Sequence, residues 1–168
     1  MRPVRLTSQS FGPTLPATVS APASTLQIHA SCVELGGIGV LLLGASGSGK
    51  SDIALRLIDG GARLVADDRT DLVRDGARLF ASAPPSIAGR MEVRGVGIVA
   101  LAHVARSPVG LAVDLIAPDA VERLPEARTH AWLGVEVPAL ALAPFESSAA
   151  AKIRLAVREA QQGRLFAA

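Results

Sequence analysis

The residues able to do chemistry in this chain begin with Gly44-Ala45-Ser46-Gly47-Ser48-Gly49-Lys50-Ser51, which meets the phosphate-binding pattern G-x-x-x-x-G-K-[ST] at each fixed position. Backbone N–H groups can wrap a polyphosphate only where no Cβ blocks the approach, which is what Gly44, Gly47 and Gly49 allow. Lys50 then reaches the β and γ phosphates as a point charge. The Ser51 hydroxyl ligates Mg²⁺, and the helix beginning there turns its positive end toward the anion. The chain has two lysines, Lys50 and Lys152, and one of them falls at this position.

The flanks supply the elements such a loop needs. Gly39-Val40-Leu41-Leu42-Leu43 is an unbroken apolar run, read as a strand buried on both faces of a parallel sheet. Ser51 to Asp59 puts Ile53, Ala54, Leu57 and Ile58 on one helical face, and Gly60-Gly61 ends the helix. A glycine-rich turn before an ordinary helix is the plainer alternative, and the strand, loop, helix order argues against it.

A second group of polar residues follows. Arg63-Leu64-Val65-Ala66-Asp67-Asp68 is a short strand ending in two carboxylates, and the carboxyl ends of parallel strands are where ligands sit. Vicinal side chains on a strand diverge, so one acid faces the γ-phosphate and the other holds metal, water or backbone, unless the pair is only a solvated turn. In Met91-Glu92-Val93-Arg94-Gly95-Val96-Gly97-Ile98, Glu92 and Arg94 share one side of an extended segment. There they serve metal and phosphate, or pair with each other.

The remaining elements carry less chemistry. Leu26, Ile28, Ala30 and Cys32 alternate with Gln27, His29 and Ser31, a half-buried strand with His29 on its polar face. Leu72 to Phe80 reads as a hairpin turning at Asp75-Gly76. Gly110 to Ile116 is a strand interrupted by Asp114, Asp119 to Leu124 a short helix carrying Arg123, and Val135 to Leu142 an edge strand around Pro138. Ser148 to Gly163 is an amphipathic helix burying Ile153, Leu155, Ala156, Val157 and Ala160, capped by Ser147 or Ser148.

Bulk properties narrow the class. At 168 residues with 49% apolar content the chain fits one globular domain. Residues 1–24, rich in Pro, Ser and Thr without an acidic residue, read as a disordered tail ahead of a domain over 25–165. No run approaches the ~18 residues of a membrane span, so no membrane is expected. A net charge of +2, dispersed arginines and a scarcity of aromatic side chains speak against nucleic acid. The single cysteine, Cys32, excludes an intrachain disulfide and suits a reducing cytoplasm.

Taken together, His29, the P-loop, Arg63 to Asp68 and Glu92-Val93-Arg94-Gly95-Val96-Gly97-Ile98 occur in the order seen in HPr kinase/phosphorylase, and from about Leu26 to Leu142 the chain resembles the kinase domain of that family. The resemblance implies a shortened, single-domain form lacking the family's amino-terminal domain. The fold it implies is α/β: a P-loop NTPase-like, mainly parallel sheet with an added antiparallel hairpin and flanking helices, and a core like that of phosphoenolpyruvate carboxykinase. It implies ATP and Mg²⁺ as cofactors, HPr of the sugar phosphotransferase system as protein substrate, and a homo-oligomer, usually a hexamer. By the same resemblance Asp68 is the base for the substrate serine, His29 assists it, Lys50 stabilises the transferring phosphate, Ser51 and Glu92 hold metal, and Arg123 is the active-site arginine. The loop that serves dephosphorylation in bifunctional members corresponds to Pro144-Phe145-Glu146-Ser147-Ser148, which has no arginine, so phosphorolysis is not expected. Two other functions fit the inventory: an ATP-sensing regulatory module without turnover, and a P-loop kinase of a small molecule.

Overall fold

The structure is a computed structural model and describes residues 24–166. The expected tail therefore lies, except for Ser24, outside the described residues. In chain order the strands and helices are β1 (Thr25–Ile28), β2 (Ala30–Leu35), β3 (Ile38–Leu43), α1 (Lys50–Asp59), β4 (Arg63–Ala66), β5 (Thr70–Asp75), β6 (Arg78–Ser82), β7 (Arg90–Val93), β8 (Gly97–Ala100), β9 (Ser107–Leu115), β10 (Arg128–Trp132), β11 (Val135–Leu142) and α2 (Ala149–Gln161).

The sheet is mixed and curled, not mainly parallel as its apolar strands suggest. Its order is β1-β5-β6-β9-β3-β2-β4, with β11 also pairing β9 and β10 pairing β11. Among these strand pairs only β3–β9 and β9–β11 are parallel. The physical reason is that an unbroken apolar strand reports only that both faces are covered. Alternate residues of β3 serve two cores. Val40 and Leu42 pack with Ile53, Leu57 and Ile153 of the two helices. Leu41 packs on the other side with Leu72 and Leu79, which the β5–β6 hairpin brings over. Helices on one face and a β wing on the other bury the strand as fully as a doubly wound fold would.

Strand direction still gathers one edge. β2 is antiparallel to both β3 and β4, so β3 and β4 point the same way with β2 between them. The first residues of β2 therefore lie beside the last residues of β3 and β4: Ala30 opposes Leu43, and Cys32 opposes Ala66. β9 and β11, parallel to β3, end on the same edge.

Other expectations shift locally. The alternating strand from Leu26 breaks at His29, where the chain leaves β1, paired with β5, and enters β2. Asp119 to Leu124 does not form a helix; a 3-10 turn at Pro118–Ala120 is all the regular structure there, since Pro125 and the segment's exposure leave it nothing to pack against. β11 is an edge only over Val135 to Pro138, which face β10 alone; its β9 ladder begins at Ala139, so the missing Pro138 N–H breaks no bond there. Leu155, expected inside, is 51% exposed on α2, and Ser148 stands at the N-cap position without a side-chain capping bond.

Candidate functional site

The glycine-rich loop Gly44 to Gly49 joins β3 to α1. Gly47 and Gly49 take φ of 78° and 91°, a region that costs an L side chain roughly 1–2 kcal/mol. A Cβ at Gly49 would also stand 3.0 Å from Pro144 Cβ and 3.1 Å from Phe145 Cζ. The N-terminus of α1 has no side-chain cap, so its first N–H groups are left to face an anion. Lys50 is buried and donates from Nζ to the carbonyls of Gly44 (2.9 Å) and Ala45 (3.0 Å). Burial pulls its pKa below the usual lysine value, while Asp68 and Asp67 act in the opposite direction.

The paired carboxylates lie in a bend beyond the end of β4, where Asp68 takes a positive φ, and their environments differ. Asp67 is buried. Its Oδ1 accepts from Ser31 Oγ at 2.8 Å and from Ser51 Oγ at 2.9 Å, and its Oδ2 accepts from the Glu92 N–H at 3.2 Å. One carboxylate thus ties together the start of β2, the start of α1 and β7. Asp68 takes φ 66° in the turn into β5, and its side chain is 61% exposed. Its N–H donates to Ser31 Oγ at 3.2 Å, and its Oδ1 lies 3.4 Å from His29 Nε2.

These groups meet at a cleft of about 770 Å³ lined by Ser46, Gly47, Gly49, Lys50, Ser51, Asp67, Asp68 and Glu92 of the expected set. His29 reaches it through Asp68. Gly44 and Ala45 form the back of the loop under Lys50, and Ser48 turns to the opposite side. Arg123 is not brought in: it is exposed beyond the Pro118–Ala120 turn and does not line the cleft. The arginines that do line it are Arg69, Arg90 and Arg94. Sequence reasoning named only Arg94 among these, because a lone arginine beside a turn carries no local signal. Ser31 is the other residue it passed over, as one polar position in an alternating strand.

The oxygen donors fit a magnesium nucleotide. Among the described residues no three His, Cys, Asp or Glu side chains cluster as a self-sufficient metal cage. Ser51, Asp67 and Glu92 instead offer a few hard oxygens, which suits Mg²⁺ completed by phosphate oxygens and water. Such a site can hold a polyphosphate at its glycine-rich end while presenting an exposed carboxylate, Asp68, to whatever approaches from solvent.

Comparison with known proteins bears on the family and the fold. Residues 20–160 match the family profile of the HPr serine kinase C-terminal domain. The chain is 40% identical over 118 residues to an HPr kinase/phosphorylase of Caldanaerobacter subterraneus, covering 68% of this chain and 38% of that protein. It is 40% identical over 97 residues to one of Lactobacillus acidophilus, covering 53% and 30% respectively. It thus spans well under two thirds of those relatives. Among solved structures it is similar to the HPr(Ser) kinase/phosphatase of Coxiella burnetii, with a TM-score of 0.73, 30% identity, and coverage of 82% of this chain and 92% of that one. A match over that much of the sequence, joined to a shared fold, places the chain in the HPr serine kinase C-terminal domain family.

Proposed function

We propose that the chain is a Mg²⁺-ATP-dependent protein kinase that phosphorylates a serine of HPr. The observation that carries this reading is Asp68, held in the left-handed region at the mouth of a phosphate cleft with His29 at its side. An acceptor hydroxyl there would lose its proton to Asp68 as its oxygen bonds to the γ-phosphorus and the bond to the bridging oxygen breaks, releasing ADP. His29 orients Asp68. Lys50, with the arginines of the cleft, neutralises charge on the transferring group. Ser51, Asp67 and Glu92 would hold Mg²⁺, which when bound offsets phosphate charge. Arg123, the active-site arginine by resemblance, lies outside the cleft and carries no role in this reading. The core's kinship to phosphoenolpyruvate carboxykinase, a cytoplasmic location and assembly into a homo-oligomer, a hexamer by family expectation, belong to the same proposal.

The test is incubation of the purified chain with γ-labelled ATP, Mg²⁺ and HPr, then addition of inorganic phosphate. Label on an HPr serine, lost in Asp68→Asn and stable to phosphate, is the expected result; removal of label by phosphate would restore phosphorolysis despite the arginine-free loop. ATP binding without transfer would overturn the kinase in favour of a sensing module, and transfer to a metabolite alone would overturn HPr as acceptor.

A further inference from the structure

A second cleft opens on the far side of the P-loop. It measures about 450 Å³, within the ~300–1,000 Å³ usual for small-molecule sites. One wall is the segment leaving β9, Leu115 to Pro118; the other is the segment leaving β11, Ala143 to Glu146; Ser48 of the P-loop closes the end between them. Both walls follow the strands parallel to β3, on the edge where ligands of such sheets collect.

Its surface is apolar, with Leu115, Ile116, Ala117 and Pro118 facing Pro144 and Phe145. Phe145 is 71% exposed and borders both this cleft and the phosphate cleft. A slot with so few polar side chains does not suit a charged or sugar-like ligand; it suits a flat aromatic one. Continuity supplies the occupant, because Ser48 and Phe145 join the slot to the loop that would hold the phosphates. Ser48 Oγ, buried without a hydrogen-bond partner among the described residues, sits at that junction.

Phe145 is also held in place. Arg56 of α1 donates from Nη1 to the Glu146 carbonyl at 3.1 Å and from Nη2 to the Pro144 carbonyl, so both neighbours of Phe145 are tied to the helix that carries Lys50. Asp52 fixes Arg56 in turn, with Oδ2 accepting from Nε at 3.1 Å. The Glu146 carboxylate is paired with Lys152 on α2.

We propose that this cleft seats the nucleobase of the nucleoside triphosphate, stacked on Phe145, with Arg56 as the positioning residue for that ring. The inference rests on the nucleotide reading above. It assigns work to the Pro144–Glu146 loop, whose arginine-free sequence otherwise marks only an absent activity.

Titration calorimetry with two probes, Mg²⁺-ATP and Mg²⁺-tripolyphosphate, separates base from phosphate. Phe145→Ala should weaken ATP binding about tenfold and leave tripolyphosphate within twofold, and Phe145→Trp should restore ATP. Ala117→Phe, which fills the slot, should repeat the selective loss. Arg56→Ala should lose ATP affinity without losing tripolyphosphate, a split that general destabilisation of the P-loop would not produce. Unchanged ATP binding in both Phe145→Ala and Ala117→Phe would overturn the base site while leaving the phosphate site standing. Equal loss of both probes in Phe145→Ala would overturn it too, since the ring would then act only by packing over Gly49. Failure of the unaltered chain to bind either probe would refute the nucleotide reading itself, and the base site with it.

Discussion

Asp67 and Asp68 are neighbours in unlike surroundings, so changing each to Asn should cost stability at the first, which the proposal also places on Mg²⁺, and chemistry with little loss of stability at the second. In Asp67→Asn the side chain presents one oxygen and one NH₂ where the carboxylate presents two acceptors. With the oxygen toward Ser31 and Ser51, the NH₂ opposes the Glu92 N–H; reversed, both serine hydroxyls must turn away from their present partner. In the first case a buried donor faces a donor, in the second the serine hydroxyls lose their acceptor, and in both the charge-assisted bonds are lost. Bonds to charged groups contribute about 1.5–3 kcal/mol net, so the loss should be about 2–3 kcal/mol. At ~2–4 °C per kcal/mol for a domain of this size, Tm should fall by about 4–12 °C.

Asp68→Asn should behave otherwise. The side chain is mostly exposed, His29 is its one side-chain partner among the described residues, and Asn tolerates the left-handed φ as Asp does. Stability should hold within ~0.5 kcal/mol, while phosphotransfer falls about 10²- to 10⁴-fold. Calorimetric Tm and label transfer to HPr, measured on both variants, give the two axes. An Asp68→Asn chain that melts lower than Asp67→Asn, or that transfers label at the unaltered rate, would refute the assignment of anchor and base.

Three further outcomes follow from the same contacts. Lys50→Met should lower tripolyphosphate affinity at least tenfold by calorimetry; and because burial depresses the Lys50 pKa, the unfolded chain keeps this proton to higher pH, so the unaltered protein should gain stability relative to Lys50→Met as pH is raised toward 10.5, read by urea unfolding. Gly49→Ala, with φ 91° and a Cβ pressed toward Pro144 and Phe145, should cost about 1–2 kcal/mol and weaken phosphate binding, whereas unchanged melting and affinity would show that the loop yields freely. Burial pushes the Cys32 thiol up, so native protein should resist thiol reagents that label it promptly in denaturant, and stability should decline as pH rises past the free-thiol value.

How far the site is legible in the sequence depends on how local each signal is. The strand, glycine-rich loop and helix from Ile38 to Asp59 are legible, since the motif's fixed positions and both flanking elements are contiguous. Strand alternation predicts that Asp67 and Asp68 diverge, but both lie past the end of β4 in a bend with Asp68 at positive φ, and Asp67 becomes the anchor only because Ser31, 36 positions earlier, and Ser51, 16 earlier, converge on it. Strand direction is illegible for the reason found in β3, where burial on two faces looks the same whether helices or a β wing provide the cover. The break at His29 is hidden as well, because alternation runs through it while the chain changes partners from β5 to β3 and β4. Arg69 and Arg90 reach the cleft by tertiary folding alone, and Phe145 reads as nothing more than a hydrophobic residue after a proline until the loop is seen against Gly49.

The antiparallel insertion of β2 between β3 and β4 is what completes the site. Were β4 to pair directly with β3, the carboxylates would meet the P-loop with no strand start between them. Because β2 runs the other way, its first residues rise between the two strand ends, and that position supplies both groups which tell the carboxylates apart. Ser31 gives its hydroxyl hydrogen to Asp67 and receives the Asp68 N–H, holding one side chain inward and the peptide that turns the other outward. His29, one residue beyond the end of the strand, is free of the ladder and stands beside Asp68. The side-chain period of a strand is two residues, so a one-residue slip of β2 would turn Ser31 away from Asp67. That slip is opposed from both faces at once, since it would also drive Cys32 and Val33, each fully buried on opposite sides, into the wrong cores. The register that packs the sheet is therefore the same register that sets which aspartate is buried and which is left exposed beside His29.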